Sequence, residues 1–198
     1  MKALRNLLAA VALIAIMLPN TLLAHPAQDL VEQVTQKLLI ALDSPEAKSD
    51  SEFLRSQINT DVLPHIDFES MTKLTVGKAW KSANAEQRTD LVTEFRDFLL
   101  NTYTSALNEY SGQTMEFLPY GAGKREDRAE VKTLFKDKGA SASIPVDYKL
   151  HNKNGPWMIY DIRVEQVSLV LGYKSEFSSL ISKGGVDGLI NALQEKNN

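Results

Sequence analysis

The sequence predicts an α+β domain, in which a twisted four-stranded antiparallel sheet packs against several helices. Three observations carry this. Between Asp29 and Tyr110 apolar residues recur every three or four positions, the period of helices with one buried stripe. Beyond Ser111-Gly112 the period falls to two, the signature of half-buried strands. After Val167 the helical period returns. Helices segregated before and after a run of short-connected strands give an α+β layer arrangement.

Before the first helix, Lys2 and Arg5 precede an uninterrupted apolar run from Leu7 to Leu18, then Pro19, Asn20, Leu22, Leu23 and a small Ala24. A basic start, a short apolar stretch and a small residue at its end read as a secretory signal peptide over residues 1–24. The run is shorter than the about 20 residues a membrane-spanning helix needs. Export, cleavage after Ala24 and a single domain over residues 25–198 are therefore expected, a length able to bury a sizeable core. The 198-residue chain has no cysteine, so packing and not disulfides must stabilise it. Its formal charge of −3 at pH 7 becomes more negative without Lys2 and Arg5, which argues against a nucleic-acid partner.

Leu30, Val31, Val34, Leu38, Leu39 and Leu42 place one apolar stripe on a helix from Asp29, and Ser44-Pro45 ends it. A second helix runs from near Asp50 to Leu63, and Asp67 caps a short one carrying Phe68, Met71 and Leu74, closed by Gly77. Asn84 and Gln87 stand at capping-box spacing before the strongest helical signal. Its stripe is Leu91, Val92, Phe95, Phe98, Leu99, Tyr103, Ala106, Leu107 and Tyr110, on a helix of roughly 39 Å. Four strands follow, Gln113 to Leu118, Arg128 to Lys136, Ala140 to His151 and Trp157 to Glu165, separated by GAGK at Gly121, DKG at Asp137 and Asn154-Gly155. A helix from about Ser168 to Lys183 and a shorter one from Val186 to Leu193 flank Gly184-Gly185. Leu91, Val92, Phe95, Leu180 and Ile181 are expected to form helix-to-helix core, with Trp80 and Trp157 anchoring element ends.

Little here supports catalysis or metal binding. His25, His65 and His151 are far apart and outside metal-ligand spacing, so no metal and no cofactor are expected. His65, in a turn, and His151, at a strand end, read as solvated. Cleavage would make His25 the new N-terminus, where copper chelation is conceivable but unsupported by a second ligand. Asp161 and Glu165 on one strand face read as outward and solvated. The basic cluster Lys124, Arg125 and Arg128 reads as a hairpin turn balanced by Glu126 and Asp127. No nucleophile elbow and no phosphate-cradling glycine loop occur.

The segment from Trp157 to Leu193, LTVGKAW at Leu74 to Trp80, Gln87, the FRDFLLNTYTSALNEYSGQT run from Phe95 and the pair Tyr160-Asp161 together resemble the MlaC/toluene-tolerance family of periplasmic phospholipid carriers. The resemblance spans nearly all of the chain after residue 24. One departure stands out: where the family usually reads EGVS, this chain has Glu165, Gln166, Val167 and Ser168.

Periodicity does not distinguish a filled interior from a hollow one, and the residues by themselves read as ordinary core. The resemblance implies a deep apolar cavity between sheet and helices that takes phospholipid acyl chains, with the head group near its mouth. On that reading the lining candidates are Phe68, Met71 and Leu74; Leu99, Tyr103 and Leu107 of the long helix; Ile144, Val146 and Tyr148; Met158, Tyr160, Ile162 and Val164; and Val167, Leu169 and Tyr173. A monomeric periplasmic carrier is implied, passing phospholipid between an outer-membrane lipoprotein complex and an inner-membrane ABC transporter, with no enzymatic step. The need for a cover is physical: at about 0.8 kcal/mol per methylene, two chains of about 16 carbons cost on the order of 25 kcal/mol to expose to water. Apolar contact is non-directional, so little head-group dependence is expected. The rival is a small α+β enzyme with a hydrophobic cavity, in the manner of steroid-isomerase-like folds, which needs a carboxylate or histidine facing the cavity.

Overall fold

A computed structural model describes residues 25–107, 110–121, 123, 125–137, 142–153 and 155–198. The expected leader, Lys124, the DKG turn after Asp137 and the Ala106 side chain lie outside them. Among the described residues seven helices or helical turns precede the sheet, and five of their starts carry a side-chain cap. The first, α1 (Pro26–Asp43), is capped by His25, whose Nδ1 accepts from the Ala27 amide; α2 (Pro45–Ser49) is capped by Ser44, and α3 (Ser51–Asp61) by Asp50. A 3₁₀ turn, Leu63–His65, then leads to α4 (Phe68–Val76), where Asp67 accepts from the Ser70 amide at 2.8 Å. A four-residue α5 (Ala79–Ser82) precedes α6 (Ala85–Leu107). At its start Gln87 N–H donates to Asn84 Oδ1 and Asn84 N–H to Gln87 Oε1, the reciprocal box that the spacing predicts. With 23 residues α6 is about 34 Å long.

The sheet has five strands, not the four that the sequence predicts. They are β1 (Thr114–Phe117), β2 (Arg128–Lys136), β3 (Ser143–His151), β4 (Met158–Val164) and β5 (Val167–Ser168), all antiparallel neighbours in chain order. The fifth strand escapes sequence reading because it is two residues long and joined to β4 by a two-residue turn. In that turn Glu165 and Gln166 take φ of 49° and 68°, the left-handed pair a tight hairpin needs but side chains disfavour.

A second correction concerns β4. The register slips between Lys149 and Leu150, so that Lys149 pairs with Asp161 but Leu150 pairs with Ile159, leaving Tyr160 unmatched. This bulge re-aims side chains. Ile159 enters the core with Leu150, whereas Tyr160 lies under the Arg128 guanidinium, 4.7 Å from its ring centroid, and 5.4 Å from the His151 ring.

After β5 comes a single helical turn, α7 (Leu169–Gly172), then α8 (Lys174–Asn197). The predicted split at Gly184-Gly185 is a kink inside α8, where Gly185 takes φ 68° and ψ −163°. Helix α8 packs on the first half of α6. Phe95 and Phe177 meet edge to face at 5.2 Å there, and Leu91, Leu189 and Leu193 are fully buried beside them. The expected core role of Leu91 and Phe95 holds, and Leu180 and Ile181 are half-buried against the same cluster.

Candidate functional site: an apolar pocket beside the second half of α6

Past Phe95 the neighbours of α6 change. Instead of α8, the helix faces α3, the 3₁₀ turn, α4 and the β4–α7 region, and these elements do not close on one another. Between them lies a pocket of about 220 Å³. Leu99, Leu100, Tyr103, Thr104 and Leu107 line it from α6; Ile58, Val62, Leu63 and Ile66 from α3 and the turn; Phe68 and Met71 from α4; Ile162, Leu169 and Val170 from β4 and α7. Its exposed lining is wholly apolar. From Leu99 to Leu107 the helix advances about 12 Å.

Leu107 is also shared with a second cavity of about 390 Å³, bounded by Leu38, Leu39 and Leu42 of α1, by Tyr110, and by Met115, Phe135 and Tyr148 of the sheet. The Tyr148 hydroxyl points at Met115 Sδ (3.6 Å), and burial pushes its pKa up to about 12. The two cavities therefore share Leu107 as a common wall.

The sequence profile described as MlaC protein matches residues 32–195. The chain belongs to the MlaC family. Among its relatives is the Haemophilus influenzae protein called "Intermembrane phospholipid transport system binding protein MlaC", 26% identical over 170 residues, which cover 84% of this chain and 79% of that one. The Pseudomonas putida "Toluene tolerance protein ttg2D" is 25% identical over 172 residues, covering 84% and 78%. The solved phospholipid-binding protein from Ralstonia solanacearum, in complex with a phospholipid, superposes with a TM-score of 0.79 at 27% identity, covering 86% of this chain and 96% of that one.

Within this MlaC-family fold the sequence candidates divide into three groups. Phe68, Met71, Leu99, Tyr103, Leu107, Ile162 and Leu169 line the first pocket, and Tyr148 the second. Tyr173 lies one layer back, its hydroxyl 3.2 Å from that of Tyr103; burial, and then this neighbour, raise its pKa. The rest line neither pocket: Leu74, Ile144 and Val167 are exposed, and Val146, Met158, Tyr160 and Val164 are half-buried elsewhere on the sheet. For Met158 and Tyr160 the bulge is the reason, because strict alternation assigns faces correctly only as far as Ile162. Alternation could not have found Ile58, Val62, Leu63 or Ile66, since they lie where a helix frays into a 3₁₀ turn.

Two polar residues read as solvated or outward, His151 and Asp161, are in fact buried. His151 is 3% exposed, and its Nε2–H donates to Asp67 Oδ2 at 2.8 Å. Burial disfavours the Asp67 carboxylate, yet the Ser70 amide and hydroxyl together with His151 outweigh it and hold its pKa below the usual carboxylate range. Asp67, Ser70 and His151 superficially resemble a hydrolase triad. However, Ser70 Oγ and Asp67 both approach the same nitrogen, Nε2, while Nδ1 has no partner among the described residues. A relay needs the imidazole between its partners. The cluster instead pins α4 to the sheet, alongside the Asp67 amide bonded to the Ile159 carbonyl. At the other end of α4, Thr75 Oγ1 donates to the Val170 carbonyl at 3.2 Å.

Asp161, 4% exposed, accepts from Ser168 Oγ at 2.7 Å, and that same oxygen caps α7 by accepting from the Leu171 amide. This buried carboxylate thus fixes the turn that brings Leu169 and Val170 to the pocket. His25 is likewise occupied: besides capping α1 it stacks on Tyr120 at 4.2 Å and meets Trp157 edge-on.

Proposed function

We propose that this chain is a periplasmic phospholipid-binding carrier that moves lipid between the outer and inner membranes and so maintains outer-membrane lipid asymmetry. The observation that carries the reading is the wholly apolar pocket between α3, α4 and α6. It is supported by membership of the MlaC family and by likeness to a solved protein that holds a phospholipid.

Dimensions define how a lipid would sit. A cavity of about 150 Å³ admits one benzene, so 220 Å³ has room for only about nine carbons. A chain spanning one leaflet is about 15 Å long, against about 12 Å of α6 beside the pocket. An acyl chain must therefore pass Leu107 and continue into the second cavity, and α3 or α4 must move outward to admit a second chain. The ties of α4 at Asp67 and Thr75 make that movement a concerted one. An outer-membrane lipoprotein complex and an inner-membrane ABC transporter are the partners this reading requires, because the cost of wetting bare chains forbids release without a continuous apolar path. The carrier works as a monomer, exported by a leader removed after Ala24, and its work is binding and release.

Solvent extraction and mass analysis of protein isolated from the periplasm tests this. Phospholipid in near-stoichiometric amount is expected; protein that is bare and takes up none from phospholipid vesicles overturns the reading.

A further inference from the structure

The apolar pocket shares part of its wall with a polar groove. Leu63, Phe68 and Leu100 also bound this groove of about 600 Å³, whose other walls are Arg55, Asn59, Pro64, Arg96 and Asp97. Each bordering helix turns polar residues to the groove and apolar ones to the pocket. On α3, Arg55 and Asn59 face the groove, and Ile58 and Val62, three and seven residues past Arg55, face the pocket. On α6, Arg96 faces the groove, and Leu99 and Tyr103, again three and seven residues on, face the pocket. Polar and apolar walls therefore meet along Leu63, Phe68 and Leu100, which groove and pocket share, as polar head and hydrocarbon meet in a phospholipid.

The charges are not self-cancelling. Arg96 is paired to its neighbour Asp97 at 2.9 Å. Among the described residues Arg55 has a neutral polar partner, the amide oxygen of Asn101 on α6 at 3.0 Å, which ties α3 to α6 and holds the guanidinium at the groove. The groove thus offers two planar guanidinium groups, suited to a phosphate's oxygens, one carboxylate, and a net positive charge.

We propose that this groove is the head-group site: Arg55 and Arg96 receive the phosphodiester, and Asp97 receives the amine of a zwitterionic head group. The proposal rests on the carrier reading and departs from the expectation of head-group indifference. Asp97 makes the site more than a general anion trap, because it favours an ammonium and opposes a second negative charge.

The test measures binding of three ligands with identical short acyl chains: phosphatidylethanolamine, phosphatidylglycerol and diacylglycerol. Wild-type protein should bind phosphatidylethanolamine about tenfold or more tighter than diacylglycerol, about 1.4 kcal/mol or more. Arg55→Gln also loses the tie to Asn101, yet it should erase most of that ratio, because any loosening of the fold weakens both ligands alike and cancels in the ratio. Arg96→Gln supplies a second variant, in which the unpaired Asp97 should weaken phosphatidylglycerol most. Asp97→Asn should narrow the gap between the two phospholipids. Equal binding of phosphatidylethanolamine and diacylglycerol by wild type, or an Arg55→Gln protein that keeps the ratio, overturns the head-group site and leaves the carrier reading standing. Failure of wild type to bind any of the three overturns both.

Discussion

The two halves of α6 carry the same apolar period and have opposite surroundings. In the first half, Leu91 and Phe95 are 1% and 0% exposed, held by Phe177, Leu189 and Leu193 of α8. In the second half, Leu99, Leu100, Tyr103 and Leu107 are only half-buried beside the pocket they line. The difference comes from what lies opposite. Both arms of the kinked α8 close the first half, through Phe177 before Gly185 and Leu189 and Leu193 after it, whereas the second meets a helix end, a 3₁₀ turn and a one-turn helix, pieces too short to cover it. Irregular structure opposite a regular helix is how this fold keeps a hollow in an otherwise close-packed interior.

The comparison is broken or sharpened most strongly by truncation in each half. Phe95→Ala should cost about 3–5 kcal/mol, because it opens a cavity in a filled region. Leu99→Ala should cost less than about 2 kcal/mol, since it only enlarges a space already empty. Urea denaturation of both variants checks this, and equal costs would mean that the second half is packed after all.

A smaller effect follows at α4, the movable wall of the hollow half. The Asp67 pKa is lowered on folding, so its ionised form stabilises the protein above the unfolded value of about 3.9, and that contribution disappears as pH falls through the folded value. The melting-temperature difference between wild type and Asp67→Asn should therefore be largest near neutrality and shrink as pH falls below the unfolded value. A difference that grows on acidification would contradict the assigned roles of Ser70 and His151.

The smallest effect belongs to the β4–β5 turn. Gln166→Gly relieves a left-handed conformation that costs a side chain roughly 1–2 kcal/mol. It also loses the bond from Gln166 Nε2 to buried Asp147 and adds glycine's entropy. A net gain below about 1 kcal/mol in chemical denaturation is expected; a loss would mean that the Asp147 bond dominates.

What was legible in the sequence is whatever depends on local rules. The caps at Asp67 and Asn84, the long helix, the first four strands and the break at Gly185 all follow from side chains acting within a few residues. The family too was legible, from motifs spread along the chain. What escaped depends on contacts distant in sequence. The bulge at Tyr160 reverses the faces that alternation assigns to Met158 and Tyr160, whereas Asp161 keeps its face opposite Ile162 and is buried there with Ser168, seven residues on. His151 looked like a strand end because its partner, Asp67, is 84 residues away. Hollow and filled halves of α6 have the same spelling, so only the elements facing them tell them apart.

The most direct test of the central claim, that the second half of α6 borders a lipid-holding space, is native mass spectrometry of wild type and Leu99→Arg after incubation with phospholipid vesicles. The hollow gives the long side chain somewhere to go, so the variant should melt cooperatively near the wild-type temperature, yet its charge should exclude acyl chains. The account predicts a phospholipid-mass adduct on wild type and bare, folded Leu99→Arg. A folded variant carrying as much lipid as wild type would contradict it.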